Sequence, residues 1–300
     1  MKKSILLMFA GLLLAGTVQA AGGPVRIGAK VFTEQAVLSE LTAQYLATKG
    51  YRPEIVGGLG STIAWNGLKS GQLDITWEYT GTSLVAYNKI TERLDPQATY
   101  ERVKELDAKN NAIWLTPARL NNTYAMAISK EIAEEYPQIQ SISDLAKVLE
   151  SEPDKTHLFA MDIEFANRSD GLEGLNKQYG MSFTRNEIRS MDPGLVFTAL
   201  KNGQVFCGMV NTTDGRLEAF GLKILEDDKS YFPDYTAAPV ANKSYLEKNP
   251  EIAELLKPLA ESLDDETIQG LNAKVDIERL SPAAVAAHYL RESGLIEGGR

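Results

Sequence analysis

The chain has 300 residues, 31 Lys plus Arg against 40 Asp plus Glu for a formal charge of −9, 44% hydrophobic and 8% aromatic residues. These values exclude general disorder and suit one large domain or two modest ones, while a single Cys and two His exclude a disulfide within the chain and make a zinc cage or histidine-rich metal centre untenable. Net acidity without a dense basic stretch argues against a nucleic-acid surface, so the expected partner is a small molecule, and no cofactor is called for.

Residues 1–20 read as a secretory signal peptide: Lys2 and Lys3, an apolar run from Ile5 to Ala15, then Val18-Gln19-Ala20 as a small-x-small pattern with cleavage expected after Ala20. The run is too short to span a bilayer comfortably, no Cys stands beside the cleavage site to take a lipid, and no later stretch is long and apolar enough to cross a membrane. An exported, unanchored protein stays with its cell only behind an outer barrier. A periplasmic location is therefore expected, with true secretion as the alternative.

Downstream, 25–29 predicts a short strand, and Thr33 is placed to cap a helix over 34–46 whose apolar residues recur at helical spacing, with Gly50 as its stop. Residues 53–56 predict a second strand. Gly57-Gly58-Leu59-Gly60-Ser61-Thr62 then leads to a helix over 63–68, Gly71, a strand over 73–77 and the loop Glu78-Tyr79-Thr80-Gly81-Thr82. Strands alternating with helices predict an α/β lobe with a largely parallel sheet. The pattern returns with a strand over 158–161, a helix over 168–179, the end of another helix over 196–200, a further strand and the loop 211–215. Cys207 lies in an apolar run where a buried, inert thiol is expected. Residues 241–300 predict amphipathic packing helices, and His288 reads as a surface or packing histidine.

The two halves echo each other. Leu68-Lys69-Ser70-Gly71-Gln72-Leu73 matches Leu200-Lys201-Asn202-Gly203-Gln204-Val205, and the same register places Tyr79 on Asn211 and Thr80 on Thr212. Two similarly built lobes across a cleft follow from this echo. Ligands of open α/β sheets bind beyond the carboxyl ends of strands, so both loops are expected to face the cleft.

Enzyme signatures are missing: no G-x-S-x-G elbow, no H-E-x-x-H, no phosphate-binding G-x-x-x-x-G-K-S/T, and no dinucleotide spacing in Gly57-Gly58-Leu59-Gly60. A periplasmic enzyme acting on a small amine is the rival reading from another class, and it needs a nucleophile or metal site that the sequence does not display. The conspicuous residues are tyrosines outside apolar runs, namely Tyr79, Tyr87, Tyr124, Tyr231 and Tyr235, whereas Trp65 and Trp77 are expected in the core. Glu78 is expected to cap a helix or to join lobes.

Gly28-Ala29-Lys30 with Thr33-Glu34, Leu59-Gly60-Ser61-Thr62, Trp77-Glu78-Tyr79-Thr80-Gly81-Thr82, Asn121-Asn122-Thr123-Tyr124, Thr212-Thr213-Asp214-Gly215 and the block Asp227-Asp228-Lys229 to Ala238-Pro239 strongly resemble the periplasmic substrate-binding proteins of ABC-type osmoprotectant importers. The resemblance spans nearly the whole chain after residue 20. It implies the two-lobed α/β fold of type II periplasmic binding proteins, each lobe a sheet flanked by helices, with lobe 1 formed by 24–125 plus 238–300, lobe 2 by 126–237, and two crossover segments between them. It implies capture of glycine betaine, choline or carnitine and delivery to the transmembrane permease subunits of the importer, by a monomer without enzymatic activity.

The chemistry of such ligands fits these residues. A trimethylammonium group carries charge but no N–H, so aromatic faces hold it, each cation–π contact being worth roughly 0.5–2 kcal/mol, while a betaine carboxylate asks for cations and hydroxyl or backbone donors. Carried over by motif, Tyr79, Tyr124 and Tyr235 match three walls of the family's aromatic cage, and Lys30, Thr82 and Arg168 match its polar end. Asn211 departs from the pattern, standing where many relatives have a fourth cage tyrosine. Either an adjacent aromatic compensates, or the amide adds a hydrogen bond to a different or larger amine or betaine ligand and weakens the grip on a plain trimethylammonium.

Overall fold

The computed structural model describes residues 22–168 and 171–297, so the signal-peptide reading of residues 1–20 lies outside the described residues. In chain order the strands are β1 (Pro24–Lys30), β2 (Arg52–Leu59), β3 (Ile75–Tyr79), β4 (Ala112–Trp114), β5 (Tyr124–Ile128), β6 (Phe159–Asp162), β7 (Ile188–Met191), β8 (Cys207–Asn211), β9 (Lys223–Ile224) and β10 (Ala237–Asn242). The helices are α1 (Thr33–Thr48), α2 (Ser61–Ser70), α3 (Pro96–Ala108), α4 (Lys130–Glu135), α5 (Ile142–Ser151), α6 (Ile163–Asn167), α7 (Leu172–Tyr179), α8 (Pro193–Lys201), α9 (Arg216–Ala219), α10 (Lys243–Lys248), α11 (Ile252–Glu261), α12 (Asp265–Asp276) and α13 (Pro282–Glu292).

The strands form two five-stranded sheets, ordered β2-β1-β3-β10-β4 and β7-β6-β8-β5-β9. In the first, β1 runs parallel to β2 and β3 while β10 runs antiparallel to β3 and β4. The second repeats this arrangement, with β6 parallel to β7 and β8 and β5 antiparallel to β8 and β9. Each sheet is thus mixed rather than largely parallel. The cause is connectivity: β5 and β10 are the strands by which the chain arrives from the opposite lobe, and both enter reversed. The segments that carry it across run side by side, Ala118 N donating to Ala237 O and Ala237 N to Leu120 O, each at 2.9 Å.

Burial explains the helix positions. Leu38 and Leu41 of α1 pack with Trp77 of β3 and with Leu256, Ile268 and Leu290 of α11, α12 and α13, so the C-terminal helices cover lobe 1 as packing elements. Trp65, Leu68, Tyr100 and Trp114 fill its other face. In lobe 2, Phe159, Phe165 and Leu175 form one core cluster and Phe197 and Leu200 another. Cys207 is wholly buried and burial pushes its thiol up. Among the described residues no helix is long and apolar enough to cross a membrane.

Several local expectations change. The N-cap of α1 is Phe32, with no side-chain cap, because the Thr33 hydroxyl is taken by Asp276 Oδ1 of α12 at 2.8 Å. The strand expected over 73–77 runs two residues later, Asp74 before it spending its carboxylate on Arg26. The expected loop 78–82 is then the end of β3 and the entry to a π-helical turn, Thr82–Tyr87, a form often found at functional sites. The helix expected over 168–179 begins only at Leu172, as α7, and Arg168, extended at φ −76° and ψ 152°, follows the short α6 that precedes it. The echo itself is structural: left-handed Gly71 closes α2, left-handed Gly203 follows α8, and β3 and β8 are the middle strands of their sheets, ending at Tyr79 and Asn211.

Candidate functional site

The carboxyl ends of β1, β3 and β8 and the start of β5 meet across a cavity of about 440 Å³ between the two sheets. Lys30, Tyr79, Thr82, Tyr124, Arg168, Asn211 and Tyr235 all line it. Tyr87 and Tyr231 serve elsewhere: Tyr87 stacks on Trp65 with ring centroids 4.7 Å apart, and Tyr231 packs edge-on against Phe232.

Strand ends set the aromatic walls. Tyr124 is paired in register with Asn211, and its ring stands perpendicular to that of Tyr235, centroids 5.5 Å apart, with Phe165 at 5.0 Å behind. Tyr235 can lie there because residue 81 is glycine; a Cβ would come within 2.8 Å of its ring and 2.7 Å of Asp234 O. Tyr79 is fixed by its hydroxyl, which donates to Glu34 Oε1 at 2.6 Å and accepts from Gln35 Nε2 at 3.1 Å. Burial, and then the Glu34 charge, push the Tyr79 phenol well above its ordinary range, so it stays a neutral donor.

Two cations face these rings, each with a carboxylate partner. The Lys30 ammonium is 5.2 Å above the Tyr79 ring and is paired with Glu78, the side chains being 3% and 0% exposed. Glu78 also accepts from the Tyr87 hydroxyl at 2.9 Å, so it is a buried ion-pair partner and neither a helix cap nor a link between lobes. From lobe 2, the extended backbone at Arg168 brings its guanidinium 5.6 Å above the Tyr124 ring, 3.3 Å from Thr82 Oγ1 and 3.5 Å from Glu164 Oε1. Glu164 Oε2 accepts from Ser61 N at 3.4 Å, so this group also crosses the cleft. Burial works to raise the Glu164 carboxyl, but Lys30, Ser61 and Arg168 together hold it below its usual value. Its neighbour Asp162 caps α6 through Phe165 N and is pushed up by burial.

Sequence reasoning missed the deepest part of the site. Glu34, 2% exposed, accepts from Tyr79 and from Asn122 Nδ2 (3.0 Å) on one oxygen, and from Thr213 Oγ1 (2.5 Å) and Asn272 Nδ2 (3.5 Å) on the other. Burial pushes this carboxyl up while the four donors oppose it. One residue thereby ties α1, β3, a crossing segment, the loop after β8 and α12. The available signal was a carboxylate inside an apolar stripe, since residue 34 shares a helical face with Val37, Leu38 and Leu41. Beside it, Gly215 lets the loop approach Ala273, where a Cβ would come within 2.5 Å, and Arg216 reaches Asp276 at 3.4 Å. Asn122 Oδ1 is buried without a hydrogen-bond partner, and Glu34 fixes the amide's orientation by accepting from its nitrogen.

No histidine or cysteine lines the cavity, and no group of three His, Cys, Asp or Glu among the described residues is placed to hold a metal ion. The cleft is built to grip a small molecule from two sides, the arrangement of a solute-binding protein whose lobes close on their cargo. The family described as the substrate-binding domain of ABC-type glycine betaine transport systems matches residues 23–292, and the chain belongs to that family. It is 55% identical over 302 residues to the glycine-betaine-binding protein of Pseudomonas aeruginosa, covering 99% of this chain and 96% of that one. It is 35% identical to the glycine betaine-binding protein YehZ of Escherichia coli, covering 91% and 92%. Among solved structures, a glycine betaine/carnitine/choline ABC transporter protein superposes with a TM-score of 0.72 at 31% identity, covering 91% of this chain and 99% of that one.

Proposed function

We propose that the chain is the solute-binding component of an ABC importer for a quaternary-ammonium compatible solute of the glycine betaine, choline or carnitine kind, exported by a cleaved signal peptide to the periplasm and acting without catalysis. The observation that carries the reading is that both lobes bring groups to one cavity: Lys30, Tyr79 and Thr82 from one, Arg168 and Asn211 from the other, with Tyr124 and Tyr235 beside the crossing segments that join them. Tyr79, Tyr124 and Tyr235 would face the trimethylammonium group, and Lys30, Thr82 and Arg168 the carboxylate. The named relatives bind ligands of this class.

The lobes divide as 24–125 plus 238–300 and 126–237. The strands sort between the sheets along this division, except that Tyr124 and Ala125 begin β5 and Ala237 begins β10. Bonds across the cleft, such as Arg168 to Thr82 and Thr213 to Glu34, exist only while the lobes are together, so a bridging ligand favours closure and the permease subunits receive the closed form.

Calorimetry of the purified mature chain with glycine betaine, choline and carnitine tests this. We expect heat with at least one of them and a loss of about twofold to thirtyfold in affinity on Tyr124→Ala; silence across the panel overturns the ligand class. N-terminal sequencing of the exported protein, expected to begin at Ala21, tests the route. A second reading rests on the two amides at the site, Asn211 and the unpartnered Asn122 Oδ1: a hydroxyl on the ligand would give that acceptor a donor, favouring choline or carnitine over glycine betaine, which has none.

A further inference from the structure

Beyond its tyrosines and cations, the cavity is also lined by aliphatic side chains, set among Asp162, Glu164 and Asp192, that glycine betaine leaves without a role. Val31 follows β1, Ile163 opens α6, Met191 ends β7 and Pro193 opens α8; all four line the same cavity as Lys30 and Arg168. Val31 and Ile163 are 54% and 69% exposed, although aliphatic and on opposite lobes. Glycine betaine is a trimethylammonium and a carboxylate on one methylene. A space of about 440 Å³ instead falls in the range of roughly 300–1,000 Å³ that pockets offer to drug-sized ligands. With glycine betaine on the tyrosines, the remaining volume would hold water against apolar walls, an arrangement that an apolar ligand group relieves.

We infer that the site takes betaines carrying a short apolar extension, namely short-chain acyl esters of a hydroxylated betaine, with the acyl chain laid against Val31, Ile163, Met191 and Pro193. The inference rests on the proposed quaternary-ammonium reading and deepens it. The trimethylammonium and carboxylate keep the tyrosines and cations, and the ester displaces water from the mouth. Each methylene that leaves water on this wall should tighten binding by up to about fourfold.

Calorimetry with carnitine, acetylcarnitine, butyrylcarnitine and hexanoylcarnitine on the mature chain reads this out. Affinity is expected to rise from the acetyl to the butyryl ester, two methylenes longer, by up to about fifteenfold. In the Val31→Ser/Ile163→Ser variant, which alters exposed side chains, the ratio of butyryl to acetyl affinity should fall towards one. Carnitine bound as tightly as its esters, or an ester gain that survives in the double variant, overturns the extension and leaves the quaternary-ammonium reading intact. Failure of carnitine, choline and glycine betaine together with the esters overturns both.

Discussion

The strand ends β3 and β8 are equivalent positions in two sheets of the same design, yet lobe 1 places Tyr79 there and lobe 2 places Asn211. Tyr79 is locked from behind by Glu34 and Gln35, whereas Asn211 lies in register with Tyr124, so lobe 2 supplies its aromatic face from the neighbouring strand. The helix starts differ in the same sense. In lobe 1, α1 and α2 begin without a side-chain cap, while in lobe 2 the acids Asp162 and Asp192 cap α6 and α8 themselves. Lobe 1 therefore offers helix ends without caps of their own and a cation whose carboxylate partner is wholly buried, and lobe 2 brings carboxylates and a cation whose partner is partly open to water. A duplicated framework has been given unlike ends, and a ligand with opposite charges at its ends meets different chemistry on each side.

The largest expected effect follows from how the two cations are held. Removing one partner of a buried pair leaves an uncompensated charge, so Lys30→Met should cost roughly 3–5 kcal/mol in urea unfolding, and adding Glu78→Gln should recover most of it. Arg168→Gln should cost less than half as much, because Glu164, 35% exposed, can turn to water. Equal losses would remove the distinction between a pair buried on both sides and one whose carboxylate reaches water. Next in size, Tyr79→Phe takes one donor from Glu34 and an acceptor from Gln35, and about 1–3 kcal/mol of stability should go with them. Tyr87→Phe, which removes a donor from Glu78 outside the cavity, should leave ligand affinity nearer to wild type than Tyr79→Phe does.

The sequence carried the lobes and the rim of the site because both are written locally. Alternating strands and helices, Gly71 with Gly203, and blocks containing Tyr79, Tyr124 and Tyr235 need no knowledge of distant partners. What it missed depends on pairing across the fold. Thr33 has the chemistry of a cap, but Asp276 claims it from 243 positions away. Glu78 reads as a polar loop residue, and only the fold shows that it lies under Lys30 and Tyr87. The break at Arg168 was likewise hidden, although it is what turns that guanidinium into the cleft. Glu34 was visible only as an acid in an apolar stripe, and its four donors come from four separate stretches of chain.

Making the lobes alike tests their difference more gently. Asn211→Tyr restores the echo of Tyr79 and should tighten glycine betaine by about twofold to thirtyfold, the worth of one added cation–π contact, while narrowing the cavity for larger ligands. Calorimetry across the ligand panel checks it, and unchanged affinity and ranking would mean that a neighbouring aromatic already does the work of the missing ring.

The smallest effect lies in the response of each lobe to mild acid. Lobe 2 buries His157 against the Phe206 ring at 4.3 Å, with Glu152 Oε2 3.3 Å away, whereas His288 on α13 is half exposed beside Glu292. Burial lowers the pKa of His157 from 6.5, with Lys155 adding to the effect and Glu152 and Glu187 opposing it. Below that value the unfolded chain takes up a proton that the folded chain refuses, so stability is full above about pH 6.5 and falls as the pH drops towards the lowered native value. One such proton limits the slope to about 1.4 kcal/mol per pH unit, and a partial shift gives less. Urea unfolding between about pH 7 and pH 5.5 should therefore show a shallow loss that His157→Gln flattens. A loss unchanged by His157→Gln would trace the acid sensitivity to the carboxylates both lobes share, and would remove this difference between them.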